Sequence, residues 1–278
     1  MTTLTFTLLL FLVSGLTGFL GALTGLGGGV LLVPVLTLLF RVDIHYAIGA
    51  TVVSVIATSS GAAAAYVKEG FTNIRIGMFL EIATTVGAVL GALLLAKVST
   101  GFIGAIFGLM LLFSAYVSWQ SQPDVPPLAK PDKLSSLLKL NGSFPTPEGQ
   151  RSYQVYRVTT GFGLMALAGT LSGLLGIGSG AMKVLAMDQG MRIPFKVSTT
   201  TSNFMIGVTA AATAGIYLKR GYIVPGLAMP VMLGVLIGSM LGAMALMKMH
   251  TKILRLVFSV VIAVMAVEMI FNAITGRI

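Results

Sequence analysis

The chain has 278 residues, of which 56% are hydrophobic and only 9% charged, with a formal net charge of +10. A soluble domain normally carries about 25% charged residues, so a surface that faces hydrocarbon is the simplest explanation of this composition. The positive charge does not indicate a nucleic-acid partner, because most basic residues lie in short gaps between apolar runs, where they orient membrane proteins and meet lipid headgroups. The sequence has no cysteine, and its two histidines lie far apart, so we expect no metal or other cofactor.

Ten apolar segments are predicted along the chain. They lie at about 3–23, 30–40, 46–66, 74–96 and 102–119 in the first half, and at about 156–175, 181–187, 194–217, 224–247 and 253–274 in the second. Most approach the roughly 20 residues that a helix needs to cross a hydrocarbon core, whereas 30–40 and 181–187 are too short to cross alone. The first segment lacks the basic start of a secretory signal and is interpreted as a retained helix. The sequence therefore predicts an all-α polytopic membrane protein with 8–10 membrane segments.

A polar stretch at about 120–152 separates the two groups of apolar segments. Its prolines are Pro123, Pro126, Pro127, Pro131, Pro145 and Pro147. Prolines at this density indicate an extramembrane linker, with one short surface helix predicted at 135–140. The chain is thus divided into a first transmembrane repeat at 1–119, a linker at 120–152 and a second transmembrane repeat at 153–278.

The second half repeats the first. The run Gly-Leu-Gly-Gly-Gly at 25–29 matches Gly-Ile-Gly-Ser-Gly at 176–180, an offset of 151 positions, and the same offset carries Tyr-Val-Lys-Glu-Gly at 66–70 onto Tyr-Leu-Lys-Arg-Gly at 217–221. Between these landmarks, 44–51 matches 193–200 at an offset of 149. That local match predicts that the short loops before this segment differ by two residues.

The orientation of the halves depends on whether the short segments 30–40 and 181–187 count as crossings. If they do not, each half crosses four times, the halves lie parallel, and Lys and Arg split about 10 against 7 between the two sides. If they do, each half crosses five times, the halves are inverted, and the split is about 12 against 5. The positive-inside rule favours the inverted repeat, which is a common transporter architecture. The linker is predicted to be cytoplasmic in both arrangements.

The two glycine-rich runs are predicted to break a membrane helix in each half. Glycine reaches backbone conformations closed to other residues, and a break in lipid is tolerated only where protein or a wet cavity satisfies the backbone. The helix that resumes after each break offers free amides and a partial positive charge, which suit an anion. The residues assigned to this anion site are Gly27, Gly28, Gly29, Gly178, Ser179 and Gly180. Close helix packing through small residues is the alternative interpretation.

Several motifs carry a resemblance to a known family. They are GLGGGVLLVP at 25–34, GIGSGAMKV at 176–184, KVSTTTSNFMIGVT at 196–209, and the YVKEG and YLKRG segments. With these motifs the chain resembles the sulfite exporter TauE/SafE family of membrane proteins over nearly its whole length apart from the linker. The resemblance implies export of sulfite, sulfoacetate or related sulfur-containing or organic anions, without specifying which. Ser179 stands where a third glycine is usual, and Leu185 where the first half has Pro34.

Two charged residues are predicted at membrane depth. Lys183 lies three residues beyond Gly180 in an apolar stretch. It would hold an oxyanion of the substrate, or else snorkel toward the membrane surface or form an ion pair with Asp188 or Glu81. Glu81 lies within segment 74–96 and is a candidate for coupling a proton to transport, or else pairs with a base.

Hydroxyl and amide side chains are concentrated at 198–203, where Ser-Thr-Thr-Thr-Ser-Asn opens a predicted helix. Such groups donate hydrogen bonds to a dehydrated oxyanion, and they also cap helices and bond between them. The candidates for lining an anion pathway are Thr51, Ser54, Thr200 and Asn203.

These features favour a secondary transporter in the cell membrane of a bacterium or archaeon, an exporter by the resemblance. It would move a small anion by alternating access at a site formed by both broken-helix termini. An anion channel, or a permease for thiosulfate, sulfate or a carboxylate, is the alternative. An intramembrane enzyme is not expected, because the sequence offers a poor inventory of nucleophiles and bases. The predicted partners are the anion and membrane lipids, and small-residue faces would permit a homodimer.

Overall fold

The computed structural model describes residues 3–24, 29–68, 70–119, 132–176, 180–248 and 251–275. Five α-helices are described in its first half. They are α1 (Thr3–Thr24), α2 (Gly29–Pro34), which continues as a π-helical segment (Val35–Leu39), α3 (Ile44–Lys68), α4 (Ile74–Leu94), which ends in a turn of 3₁₀ helix (Leu95–Lys97), and α5 (Thr100–Trp119).

The second half repeats this order of elements. It consists of α7 (Val158–Leu175), α8 (Gly180–Leu185), which continues as a π-helical segment (Ala186–Gly190), α9 (Phe195–Lys219), α10 (Pro225–Lys248) and α11 (Thr251–Ile274). From α8 onward, each of these helices begins 151 positions after its counterpart in the first half. The second half is therefore a copy of the first in the order, start and approximate length of its helices.

Backbone landmarks fix the register of the two halves between α2 and α4. Arg41 and its counterpart Arg192 have φ angles of 54° and 56°, and Gly70 and its counterpart Gly221 have φ angles of 76° and 73°. The same number of residues separates the two landmarks in each half, and α3 and α9 both contain 25 residues. The predicted offset of 149 for this segment is therefore wrong, and the offset of 151 holds throughout.

The mistaken offset came from pairing Ile44 with Ile193. In the structure Ile193 precedes α9, and its amide donates to the carbonyl oxygen of Met187 at 3.0 Å. Val42 makes the equivalent bond to Leu36, also at 3.0 Å. Ile193 is thus the counterpart of Val42. The sequence conceals this correspondence, because Ile44, two positions after Val42, is also an apolar β-branched residue.

The described part of the linker contains a short helix and a β-hairpin. Helix α6 (Lys133–Leu137) lies close to the helix predicted at 135–140, and strands β1 (Gly142–Thr146) and β2 (Gly149–Tyr153) pair antiparallel. The all-α prediction is wrong for this hairpin. Pro145 concealed it, although a two-stranded sheet has only edge strands, where proline is tolerated. Gly149, with φ of 119°, begins β2 directly after the two-residue turn.

The hairpin is attached to the helical part of the molecule through the N-terminus of α4. The Asn73 amide nitrogen donates to the Tyr153 hydroxyl at 2.7 Å and to the Leu140 carbonyl oxygen at 3.0 Å, while its oxygen caps α4 at the amide of Ile76. Burial raises the pKa of the Tyr153 phenol, although the bond to Asn73 opposes this. The linker is therefore positioned beside the start of α4.

Helices from different halves pack in parallel pairs. In the pair α1–α10, Gly234 lies against Phe11 and Gly238 against Gly15, so the two helices run in the same direction. In the equivalent pair α7–α4, Gly169 lies against Thr84 and Gly173 against Ala88, again in the same direction. The two interfaces are equivalent, because α7 is the counterpart of α1 and α4 is the counterpart of α10.

Equivalent helices of the two halves run in opposite directions where they meet. Gly101 of α5 lies against Ala273 of α11, whereas Gly108 lies against Ala266 and Ile270. For α3 and α9, the Ser59 hydroxyl donates to the Asn203 carbonyl oxygen, while Phe71, after the end of α3, accepts from Thr200, an earlier residue of α9. The contacts therefore run in reverse order along both pairs.

The outer surface of the helices is apolar. On α4, every fourth residue from Met78 through Ile82 and Val86 to Leu90 is more than half exposed, while its glycine face packs on α7. Five helices of the described part are long and apolar enough to cross a membrane: α1, α3, α4, α7 and α10. Side chains exposed in this pattern suit hydrocarbon as their solvent.

Candidate functional site

The beginning of α9 is a buried polar stretch. Its six consecutive side chains from Ser198 to Asn203 are each at most 1% exposed. Some of these hydroxyls bond back to the chain, as Thr200 does to the carbonyl oxygens of Lys196 at 2.9 Å and Phe71 at 3.1 Å. Polar groups buried at this density need partners inside the protein, so this face of α9 is directed into the molecule and away from lipid.

Two adjacent residues of this stretch contact the helix ends that flank both predicted breaks. The Ser202 hydroxyl donates to the carbonyl oxygen of Gly180, the first residue of α8, at 3.3 Å. The Asn203 amide nitrogen donates to the carbonyl oxygen of Ala22, near the end of α1, at 3.4 Å. One turn of α9 therefore touches chain segments from both halves that lie beside the glycine-rich runs.

The glycine-rich runs themselves are only partly described. Gly29 and Gly180 begin α2 and α8, and both are buried. Helix α7 ends at Leu175, and Gly176 follows it in the left-handed conformation, with φ of 66°. The predicted residues Gly27, Gly28, Gly178 and Ser179 lie outside the described residues, so the form of the breaks stays a prediction.

Helix α3 passes the second glycine-rich run, because Ile48, three residues before Thr51, lies against Gly176. Thr51 and Ser54 are 0% exposed, and Ser54 donates to the Ala50 carbonyl oxygen of its own helix at 2.8 Å. Among the described residues, the Thr51 hydroxyl has no hydrogen-bond partner. The corrected register makes Thr51 the counterpart of Ser202, and both helices thus present a hydroxyl at the equivalent position.

Lys183 forms a buried ion pair with Glu81. The Lys183 side chain is 0% exposed, and its Nζ lies 3.2 Å from Glu81 Oε2. The Thr209 hydroxyl joins the pair, because it accepts from Lys183 and donates to the other carboxylate oxygen of Glu81. Of the two partners predicted for such an ion pair, the structure places Glu81 against Lys183, while Asp188 accepts from Gln189 at 2.9 Å.

Further hydroxyls complete the surroundings of the Glu81 carboxylate. Thr84 donates to Oε2 at 2.9 Å and Thr85 to Oε1 at 3.2 Å, both from the next turn of α4. Sequence reasoning missed Thr209, Thr84 and Thr85. Helical spacing could have found them, because Thr84 and Thr85 lie three and four residues after Glu81, and Thr209 lies two turns beyond Ser202 on the same face of α9.

One basic residue of the second half caps a helix of the first half. Arg220 caps the end of α4 through the carbonyl oxygens of Ala92 at 2.7 Å and Leu93 at 3.1 Å. Within the described residues, no group of His, Asp and Glu side chains is arranged to hold a metal ion.

Long apolar helices around a buried polar junction place the chain among the polytopic helical membrane proteins. It belongs to the sulfite exporter TauE/SafE family, whose model matches residues 10–269. It is 26% identical over 266 residues to the probable membrane transporter protein YunE of Bacillus subtilis, covering 93% of this chain and 95% of the relative. It is also 27% identical over 237 residues to the probable membrane transporter protein YdhB of the same organism, covering 85% and 87%.

A relative from a second organism matches nearly the whole chain. The probable membrane transporter protein MJ0441 of Methanocaldococcus jannaschii is 25% identical over 276 residues, covering 94% of each chain. No solved structure matches the chain. Family and relatives together identify a multi-pass integral membrane transporter.

Proposed function

We propose that the chain is a secondary transporter that binds a small anion where α9 meets the two glycine-rich runs. The observation that carries the proposal is the pair of contacts from Ser202 to Gly180 and from Asn203 to Ala22. They bring one polar turn of α9 to the flanks of both predicted breaks, one from each half. Helix termini exposed at such breaks, with hydroxyl and amide donors beside them, form the type of site that transporters use for anions.

The proposed mechanism is alternating access by an inverted repeat with five crossings in each half. It is supported by the reversed order of contacts between α5 and α11 and between α3 and α9, because equivalent helices of inverted halves must run in opposite directions. It is also supported by the basic residues, which favour one side by about 12 against 5. That side carries the linker and would be cytoplasmic.

The proposed substrate is a small sulfur-containing or organic anion such as sulfite or sulfoacetate. Hydroxyl and amide groups supply hydrogen bonds to oxyanion oxygens, and the ion pair of Lys183 with Glu81 adds no net charge to the region. The family description supports sulfite and export, and we take the direction of net transport from that description.

Counterflow into liposomes tests this proposal. The purified chain would be reconstituted and the exchange of labelled sulfite, sulfoacetate, thiosulfate, sulfate and acetate compared. We expect saturable exchange of at least one anion, with Asn203→Ala and Ser202→Ala each raising the half-saturating concentration roughly tenfold, the effect of losing one hydrogen bond of about 1.4 kcal/mol.

Ser239→Ala is the matched control, because Ser239 is equally buried but donates to the Leu236 carbonyl oxygen of its own helix at 2.9 Å. It should exchange anions as the wild type does. Exchange that does not saturate would indicate a channel. Equal effects of the three substitutions would show that the anion site does not lie at the start of α9.

A further inference from the structure

The ion pair of Lys183 and Glu81 occurs in only one of two equivalent places. With the offset of 151, the counterpart of Lys183 is Leu32 and the counterpart of Glu81 is Met232. Leu32 is 0% exposed and packs with Val231 and Val235 of α10. The same architecture is therefore built with apolar side chains in one place and with a buried ion pair in the other.

Comparison of these two places indicates that the fold does not require the charges. Helices α2 and α8 have the same length, as do α3 and α9, whichever pair is present. Thr58, the counterpart of Thr209, bonds to the Ser54 carbonyl oxygen, and Thr209 makes the same bond to Met205 in addition to its contacts with the ion pair. Apolar replacement of a buried ion pair is often neutral or stabilising, so a pair in one place only calls for an explanation other than stability.

We propose that Glu81 and Lys183 couple the anion to one proton, an inference that rests on the proposed function. A proton taken up by the Glu81 carboxylate breaks the ion pair and leaves the Lys183 ammonium to bind the anion. Lys183 lies one turn beyond Gly180, whose carbonyl oxygen accepts from Ser202 in the proposed anion site. Its ammonium contacts Thr209, two turns along α9 from Ser202, and would turn toward the anion once the ion pair is broken. Proton and anion are then carried together and released together, after which the ion pair forms again.

Charge balance explains why the proton must accompany the anion. Lys183 and Glu81 form a neutral pair when the site is empty. An anion that displaced Glu81 without a proton would leave two negative charges against one positive charge in a buried place, at a large cost in desolvation. Protonated Glu81 restores the balance for a monoanion, because the ammonium and the anion neutralise one another.

The ionisable groups around Glu81 permit this assignment. Of the helices that pack on α4, α7 carries no ionisable side chain and α8 carries only Lys183. Helix α9 carries Lys196, Tyr217 and Lys219, each at least two turns along the helix from Thr209. Asp188 lies five residues beyond Lys183 in the π-helical segment and accepts from Gln189. Lys183 is thus the charged group in contact with Glu81 among the described residues.

Coupling to one proton sets how strongly a pH difference can concentrate the anion. When the membrane potential is held at zero, each unit of pH difference supports an accumulation of about tenfold toward the alkaline side. A carrier that moves both species together works in either direction. Net export occurs where the outward gradient of the anion exceeds the inward gradient of the proton.

Proton flux and anion accumulation in liposomes test the inference. Methanesulfonate is the first probe, because it is a small sulfonate monoanion that does not titrate near neutral pH, so a moving proton must come from the protein. For wild type we expect one proton per anion and accumulation of about tenfold per pH unit. We expect Glu81→Gln to move no proton with the anion and to show no accumulation driven by the pH difference. Both are measured against the exchange that the same variant shows without a pH gradient. If methanesulfonate is not exchanged, another accepted monoanion that does not titrate in this range replaces it.

Two variants keep the test decisive. Met232→Gln introduces the same amide at the equivalent position and should retain one proton per anion. The double variant Glu81→Met with Lys183→Leu copies the apolar counterpart, avoids an unpaired buried charge, and should show no accompanying proton. Wild-type exchange without proton movement overturns the coupling but leaves the proposed function standing. Absence of exchange for every anion overturns the proposed function and the coupling with it.

Discussion

Buried hydroxyl groups in this molecule differ in whether they have a hydrogen-bond partner within the protein. Ser54 and Thr58 on α3 bond to carbonyl oxygens one turn earlier, as hydroxyls in apolar helices commonly do. Thr51, on the same helix and equally buried, has no partner among the described residues. A buried hydroxyl without a partner costs free energy, so a ligand that accepts its hydrogen bond is a reasonable explanation of its presence.

Replacing Thr51 or Thr58 with valine distinguishes a role in anion binding from a role in the stability of the fold. We expect Thr51→Val to leave the free energy of unfolding unchanged or to raise it by up to about 1 kcal/mol, because no hydrogen bond is lost. The same variant should bind the transported anion several-fold more weakly. Thermal unfolding in detergent and counterflow would measure the two effects.

Thr58→Val is the control, because Thr58 lies on the same helix and its hydroxyl has a hydrogen-bond partner there. It should lower the free energy of unfolding by about 0.5–1.5 kcal/mol, because its bond to Ser54 is lost, with little effect on anion affinity. The interpretation of Thr51 is refuted if both variants lose stability equally and bind equally well.

Sequence patterns predicted such residues only in part. Glu81, Lys183 and Asn203 could be found because polar groups are conspicuous in apolar sequence. The choice of Glu81 as the partner of Lys183 could not be made, since 102 residues separate the two along the chain. Pairing depends on how α8 lies against α4, which no local pattern encodes.

At the scale of elements, the apolar segments predicted the long helices within a few residues. The boundaries followed from composition, because polar residues and prolines interrupt the hydrocarbon-length runs. The hairpin at 142–153 was missed, since proline and glycine also mark loops. The offset of the third helix pair was also wrong, because register is set by the left-handed residues Arg41 and Arg192, which the sequence does not reveal as turns.

Close glycine contact between α4 and α7 leads to a prediction on stability. An added methyl group on Gly173 would overlap the backbone of Ala88, so Gly173→Ala must separate the two helices. We expect a loss of about 1–3 kcal/mol in the free energy of unfolding. Gly163→Ala, on the exposed side of the same helix with open space around it, should be neutral or raise stability by up to about 1 kcal/mol. Similar melting temperatures for both variants would contradict this packing.

For the whole molecule, the arrangement of the halves decides on which side of the membrane the linker and the C-terminus lie. An inverted repeat with five crossings per half places them on opposite sides, whereas parallel halves with four crossings place them on the same side. Sequence alone favoured the inverted arrangement by counting basic residues, and the opposite directions of α5 and α11 now support it independently.

Labelling of single cysteines would distinguish these arrangements, and the chain has no native cysteine to remove. Gln150 on the hairpin and Thr275 after α11 are both exposed. We expect an impermeant maleimide to label Thr275→Cys on intact cells and Gln150→Cys only after permeabilisation. Labelling of both positions from the same side would exclude the inverted arrangement.

Anion titration of the purified protein addresses most directly whether the two halves share one site. We predict one bound anion per chain, with affinity lowered by Thr51→Val in the first half and by Ser202→Ala in the second. The double variant should differ from the sum of the single effects, because the two hydroxyls would contact the same anion. Two anions per chain, each sensitive to the substitution in one half only, would contradict a site formed between the halves.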